Sequence, residues 1–95
     1  MKTPVVNRAD YKMYLEEYAG MLWFHTDVRI WNKEVKKKHL EDLDLLQYLT
    51  NIPVFALIEE ENKKLQKFAT LIGFTQVQPY LGQDNQMYFI YSRSL

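Results

Sequence analysis

The stretch VFALIEEENKKLQKFATLIGF, residues 54–74, decides the fold because it predicts a strand and a helix in direct succession. Five consecutive apolar residues, Val54–Ile58, are typical of a central strand that is covered on both faces. Glu59–Glu61 place negative charge at the start of the next helix, where the helix dipole favours it, and Gly73 ends that helix. Its buried side is predicted from apolar residues at helical spacing: Leu65, Phe68, Ala69, and Ile72 or Leu71.

The chain after this helix predicts a hairpin. Its two strands are Phe74–Tyr80 and Met87–Ser92, and between them lie Gly82, Asp84 and Asn85, which are typical turn residues. Because a short turn joins the two strands, we expect them to be antiparallel.

The chain before residue 54 predicts a second strand and helix. Leu22–Ile30 alternates with period two and is rich in aromatic and β-branched residues, as a strand requires. Asn32 can cap a helix over Lys33–Leu49. The predicted core stripe of that helix is Val35, His39, Leu43 and Leu46, widened by Leu40 and Leu49.

The N-terminal segment predicts a further helix. Asn7 is a good N-cap, Asp10 lies in the first turn, and Gly20 supplies the end. Four residues fall at helical spacing: Tyr11, Tyr14, Leu15 and Tyr18. The predicted fold class is therefore α/β, with a small mixed sheet of about four strands and three helices. Residues 1–95 are expected to form a single domain, because 95 residues allow one hydrophobic core.

Composition narrows the function classes. The formal net charge is zero, which argues against a nucleic-acid domain with its usual basic excess. The chain has no cysteine, so disulfides, thiolate metal sites and cysteine nucleophiles are excluded. The N-terminus, Met1-Lys2-Thr3-Pro4, lacks the apolar stretch that a signal peptide requires, so none is expected, and no apolar run approaches the ~20 residues of a membrane span. The sequence predicts a soluble protein that contacts neither nucleic acid nor membrane.

The residues that could be catalytic or could bind a metal are explained more simply by structural roles. His25 and His39 are predicted to lie on a strand face and a helix face, without the spacing of a metal site. The acidic groups Glu59–Glu61 and Glu41–Asp44, like the basic run Lys33–Lys38, are typical of solvated helix surfaces. Because no two glycines stand close together, no phosphate-binding loop is recognised. The sequence therefore predicts no catalytic residue, no cofactor and no metal.

Val54–Ile58, Asn62 and the sequence Leu71-Ile72-Gly73-Phe74 resemble the C-terminal part of the GNAT acetyltransferase fold. In that family an asparagine helix ending in Leu-Gly-Phe joins the fifth strand to the last hairpin. The resemblance covers roughly residues 22–92, and it implies that Leu22–Ile30 and Lys33–Leu49 are the family's fourth strand and third helix. The family's activity would be acetyl transfer from acetyl-CoA.

The chain departs from the family at positions that matter for catalysis. The family's cofactor loop is rich in glycine, whereas the corresponding junction, Arg29–Val35, contains none. The tyrosine that often serves as the acid, four residues before the glycine, is Ala69 here. Only about twenty residues precede the first predicted strand, so the early elements that bind the acceptor are expected to be missing.

A second resemblance is to small internal virion or morphogenesis proteins of short-tailed phages, which are acetyltransferase-like domains without evident catalysis. It is carried by Trp23-Phe24-His25-Thr26, Trp31, the basic helix, the asparagine helix, Phe68 and Gly73.

Together the resemblances imply two functions of different class. One is a non-catalytic, acetyltransferase-like phage structural or accessory protein that acts through protein contacts in the virion or the host cytoplasm. The alternative is a minimal acetyl-CoA-dependent N-acetyltransferase with an atypical cofactor loop. A host-directed phage inhibitor is a third possibility.

If the early strands are missing, the aromatic strand Leu22–Ile30 lies at a sheet edge, and such edges invite pairing. We therefore expect a homodimer or a protein partner beside Trp23, His25 and Trp31.

Overall fold

A computed structural model of the chain describes residues 1–94. Within this range the chain forms a mixed α/β fold of six strands and two helices. The elements are, in chain order, β1 Thr3–Asn7, β2 Tyr11–Tyr18, β3 Met21–Val28, α1 Lys33–Thr50, β4 Val54–Glu59, α2 Lys63–Leu71, β5 Thr75–Leu81 and β6 Met87–Arg93. The predicted α/β class is confirmed, whereas the predicted four strands and three helices are wrong in number.

These elements form two compact units. The first comprises Met1–Val54 together with Ser94, and contains β1, β2, β3 and α1. The second comprises Phe55–Arg93, and contains α2, β5, β6 and all but the first residue of β4.

The predicted N-terminal helix is wrong, because residues 3–18 form two antiparallel strands. Tyr11, Met13 and Leu15 are buried while the residues between them are more exposed, so β2 has the two-residue period of a strand. Tyrosine also favours strands, where its ring packs on the pleated surface. The expected absence of early strands is therefore also wrong.

The turn after β2 explains why Gly20 ends a strand. Ala19 and Gly20 both have positive φ, 55° and 74°, and Tyr18 pairs with Met21 across the turn. Two consecutive residues with positive φ form the tight turn that matches the twist of a hairpin. From this turn β3 pairs with β2 over its whole length, from Met21 to Val28.

This pairing corrects the predicted position of the aromatic strand. In the first unit β1 and β2 precede β3, and β2 pairs with β3 from Met21 to Val28. The premise of that expectation, that no strands precede Leu22–Ile30, is therefore wrong.

Helix α1 begins as the sequence predicts. The side-chain oxygen of Asn32 accepts a hydrogen bond from the amide of Val35 at 2.9 Å, which is the geometry of an N-cap. The buried residues of the helix are Val35, His39, Leu43 and Gln47. The predicted stripe is thus confirmed in its first three members. Its extension to Leu49 is wrong, because that side chain is 71% exposed.

The second unit contains the strand and helix that the opening stretch predicts. Its strand order is β4-β6-β5, and β5 and β6 form the predicted antiparallel hairpin. Asn62 caps α2 by accepting from the amide of Leu65 at 3.1 Å. Full coverage of both faces of β4 was a wrong expectation, because Leu57 is 43% exposed.

Gly73 follows α2 at a position where a side chain would be strained and crowded. Its φ is +98°, and a Cβ there would lie 2.8 Å from Nε of Arg93. That nitrogen donates to the carbonyl oxygen of Ile72 at 2.7 Å, so the arginine is held against the glycine.

Neither α1 nor α2, the helices within residues 1–94, combines the length and apolar character that crossing a membrane requires.

Candidate functional site

The junction between β3 and α1 carries the only helix start in the first unit's described residues. The Asn32 side chain satisfies the amide of Val35, and the Asn32 carbonyl accepts from the amide of Lys36 at 2.9 Å. The first amides of an α-helix have no acceptor within the helix, and beside the capped amide of Val35 these are the amides of Lys33 and Glu34. The junction therefore offers two helix-start amides to an outside acceptor.

The junction is tied to the turn between β1 and β2. The carbonyl oxygen of Asp10 accepts hydrogen bonds from the amides of Arg29, at 2.8 Å, and Ile30, at 3.2 Å. Within the turn, the amide of Arg8 donates to the carbonyl of Tyr11 at 3.0 Å. These bonds fix the backbone of Arg29 relative to that of the turn.

A pocket of about 440 Å³ lies at this turn. Three cationic side chains line it, those of Arg8, Lys12 and Arg29, together with the carboxylate of Asp27. Tyrosine rings also contribute to its wall: Tyr11 and Tyr14. We call it the turn pocket.

One wall of the turn pocket is anchored to α1 through Asp42. Its carboxylate accepts two hydrogen bonds from Arg8, at 2.6 Å to Nε and 3.0 Å to Nη2, and a further one from the hydroxyl of Tyr11. The bond from Arg8 is the main reason why the pKa of Asp42 lies below its ordinary value. Burial, followed by the bond to Asp42, raises the pKa of Tyr11 above its ordinary value.

His39 lies in the core of the first unit beside this network. Its Nε2 is 3.1 Å from the hydroxyl oxygen of Thr26, which donates to the carbonyl of Lys12. The His39 ring packs against those of Tyr11, with 4.8 Å between centroids, and Trp31, with 5.6 Å. His39 is thus a core residue on the helix face that the sequence predicts for it.

The structure separates the three residues predicted to bind a partner. Trp23 and His25 alternate along β3 with Phe24 and Thr26, which face His39. Trp23 and His25 therefore share the sheet face turned away from α1. Trp31 lies on the helix side, against His39.

His25 and Trp23 are each engaged locally on that face. His25 Nε2 lies 3.0 Å from a carboxylate oxygen of Glu16, and this bond is the main reason why the pKa of Glu16 is lowered. Trp23 donates its indole N–H to the carbonyl of Tyr18 at 3.2 Å.

Across residues 1–94, no three His, Cys, Asp or Glu side chains gather in a way that could hold a metal ion. In the second unit Ala69 is 4% exposed on α2, so the position that the sequence resemblance equates with the acid tyrosine holds a buried methyl group.

Sequence reasoning missed Arg8, Tyr11 and Asp42 as a linked group. Arg8 and Asp42 are 34 residues apart, and nothing in their local sequences predicts that they meet. The alternation of Tyr11, Met13 and Leu15 was the one available signal for strand β2.

Comparison with known proteins identifies structures of similar fold. No family model and no curated protein matches the sequence. Among solved structures, a protein from Bordetella pertussis described as a GnaT-family acetyltransferase superposes with a TM-score of 0.69 at 13% identity. The match covers 90% of this chain and 57% of that protein, so the chain spans little more than half its length.

A second solved structure is a chimera of the spermidine N-acetyltransferase SpeG from Vibrio cholerae and hSSAT. It superposes with a TM-score of 0.58 at 11% identity, over 90% of this chain and 69% of the chimera. At such low identities the two likenesses concern the backbone alone, and what they establish is that this chain has a GNAT-like α/β fold.

Proposed function

We propose that this chain binds a CoA thioester and acts as a small N-acetyltransferase with an atypical cofactor loop. The observation that carries the proposal is the likeness over 90% of the chain to two solved structures whose names describe acetyltransferases. The β3–α1 junction enters the proposal through the sequence resemblance, which equates it with the family's cofactor loop.

The first turn of α1 would hold the phosphates of the thioester. The helix-start amides of Lys33 and Glu34 lie at the positive end of the helix dipole, where anions are stabilised. The ammonium groups of Lys33, Lys36 and Lys37 lie on the same first turns of the helix. The phosphates would therefore be bound by two backbone amides and by lysine side chains instead of by a glycine-rich loop. That difference is what makes the proposed cofactor loop atypical.

The chemistry required of the protein is limited. The nitrogen of a neutral amine attacks the acetyl carbon of the thioester and forms the new C–N bond, the C–S bond breaks, and the departing thiolate takes up the proton that the amine loses. A thiol has an ordinary pKa of about 8.5, so it can leave as a thiolate near neutral pH with little help from an acid. The methyl group of Ala69 therefore slows the reaction without making it impossible.

Calorimetric titration with acetyl-CoA tests this proposal. We expect saturable binding that Lys33→Glu weakens by about tenfold and that Glu34→Gln strengthens, because the two changes alter the charge beside the phosphates in opposite senses. Lys64→Glu, an exposed position on α2, is the matched control and should leave the affinity unchanged. Absence of binding at millimolar acetyl-CoA would refute the proposal.

A second candidate function is that of a non-catalytic, acetyltransferase-like protein that acts through protein contacts, as in a phage virion or during its assembly. Ala69 and the glycine-free junction favour it, because both remove features that catalysis in the family uses. The contact surface would be the sheet face of Trp23 and His25, which α1 does not cover.

Light scattering after size-exclusion chromatography tests the homodimer form of this candidate. We expect a dimer at high protein concentration that Trp23→Ala converts to a monomer, with Trp31→Ala as a control because Trp31 lies on the other side of β3. A wild-type protein that is monomeric at every concentration would contradict the homodimer.

A further inference from the structure

The turn pocket has the size and charge of a site for a small anion-bearing molecule. Its volume of about 440 Å³ lies within the range of small-molecule sites. The carboxylate of Asp42 balances the charge of Arg8. The other charged side chains of the lining are two cations, Lys12 and Arg29, and one carboxylate, Asp27. The pocket therefore has an excess of positive charge.

Arg8 is held in place before any ligand arrives. Its Nε and Nη2 bind the carboxylate of Asp42, and the same carboxylate is fixed by the hydroxyl of buried Tyr11. This pairing uses two of the three guanidinium nitrogens, and Nη1 is the one outside it. A guanidinium fixed in this way loses little entropy when it binds an oxyanion.

Lys12 and Arg29 supply charge that the protein does not neutralise. Within residues 1–94 neither side chain forms an ion pair, and both are exposed at the pocket. Lys12 stands directly opposite Asp27 in the pairing of β2 with β3, so the carboxylate limits the positive charge at one side. Of the two unpaired cations, Arg29 is therefore the one without a carboxylate opposite it in the strand pairing.

Tyr14 provides an apolar surface beside these charges. The residue is half-buried, lines the pocket, and follows Lys12 by two positions on the same face of β2. An aromatic ring next to cationic side chains is suited to a planar ligand that carries a phosphate.

We propose that the turn pocket binds a small molecule with a phosphate group on a planar ring system, of the class of nucleoside monophosphates. Arg8, Lys12 and Arg29 contact the phosphate, and Tyr14 contacts the ring. The inference does not depend on acetyl transfer. The proposed thioester site uses Lys33 and Glu34, whereas Arg8, Lys12 and Tyr14 lie outside the junction Arg29–Val35 and only Arg29 belongs to it.

An NMR titration of the isotope-labelled full chain with AMP tests the inference. We expect saturable shifts of the backbone amides of Ala9, Lys12 and Val28. Lys12→Ala and Arg29→Ala should each weaken AMP binding by about tenfold, because each removes a charge-assisted contact to the phosphate. Both side chains are exposed, so these variants should keep the fold.

Control titrations distinguish the contribution of the phosphate to binding from that of the nucleoside. Lys64→Ala removes one exposed charge on α2 and should leave AMP binding unchanged. Adenosine, and inorganic phosphate given alone, should each bind at least tenfold more weakly than AMP. The inference is overturned if millimolar AMP leaves the turn amides unshifted, if Lys64→Ala weakens binding as much as Arg29→Ala, or if adenosine binds as well as AMP.

The same titration separates this inference from the proposed function. Shifts confined to Lys33 and Glu34 that Lys33→Glu abolishes would place the phosphate at the helix start and overturn the turn pocket. Shifts at the β1–β2 turn that persist in Lys33→Glu would support it, whether or not acetyl-CoA binds.

Discussion

Asp42→Ala is expected to lower the free energy of unfolding by about 3 kcal/mol, because it removes a charged acceptor of three hydrogen bonds. Two come from Arg8, and the third comes from Tyr11, whose side chain is 1% exposed. Without the carboxylate, the Tyr11 hydroxyl remains buried without its acceptor, which is the costly part of the change. Urea unfolding of both proteins at neutral pH measures the difference.

Glu41→Ala is the control for this change. Glu41 is the exposed neighbour of Asp42 on α1, so its loss should alter stability by less than about 0.5 kcal/mol. Equal effects of the two substitutions would show that Asp42 does not anchor the β1–β2 turn.

The contribution of Asp42 should depend on pH in a defined direction. Its folded-state pKa lies below the unfolded value, mainly because of the bond from Arg8, so the folded protein favours the charged carboxylate. The stabilisation is present above the unfolded pKa of about 3.9 and is lost as the pH falls through the folded-state pKa. The stability gap between wild type and Asp42→Ala should therefore narrow in acid, and a constant gap down to about pH 2 would contradict this origin.

Gly73→Ala is expected to lower the free energy of unfolding by about 3 kcal/mol, which is the second large effect. An alanine at φ +98° is strained by about 1–2 kcal/mol, and its Cβ would lie 2.8 Å from Nε of Arg93. Arg93 cannot move aside freely, because it is 9% exposed and bonded to the carbonyl of Ile72. Thermal unfolding followed by circular dichroism measures the loss.

Gly20→Ala separates backbone strain from this contact. Gly20 also has positive φ, +74°, but an added Cβ there would meet nothing within 4 Å. Gly20→Ala should therefore lower the free energy of unfolding only by the strain of the backbone at positive φ, about 1 kcal/mol. Similar losses for the two glycines would mean that Arg93 yields to the new methyl group.

The parts of the fold that the sequence predicts correctly depend on local signals. Asn32 and Asn62 each cap a helix through an amide three residues later, and that pattern is readable in the sequence. The last hairpin likewise follows from turn residues, among which Asn85 has φ 62°.

Residues 11–18 show where sequence reasoning reaches its limit. Tyr11, Tyr14, Leu15 and Tyr18 fit a helix, whereas Tyr11, Met13 and Leu15 fit a strand. Pairing with β1 and β3, which lie elsewhere in the chain, decides between these patterns.

The candidate site was less predictable than the fold because it depends on contacts between residues that are far apart in the sequence. Arg8 meets Asp42 across 34 residues, and Asp10 meets Arg29 only because β1 and β2 form a hairpin. The prediction that Trp23, His25 and Trp31 contact a partner stays a prediction, although Trp31 lies on the other side of β3. The glycine-free junction was visible in the sequence, whereas the tie between its amides and the β1–β2 turn was not.

The proposed cofactor loop is the central claim, and a CoA titration of the isotope-labelled chain tests it most directly. The account predicts that the backbone amides of Lys33 and Glu34 shift most and saturate with the ligand, because these are the helix-start groups left open beside the Asn32 cap. Millimolar CoA that leaves both amides unshifted, while the protein is folded, would contradict it.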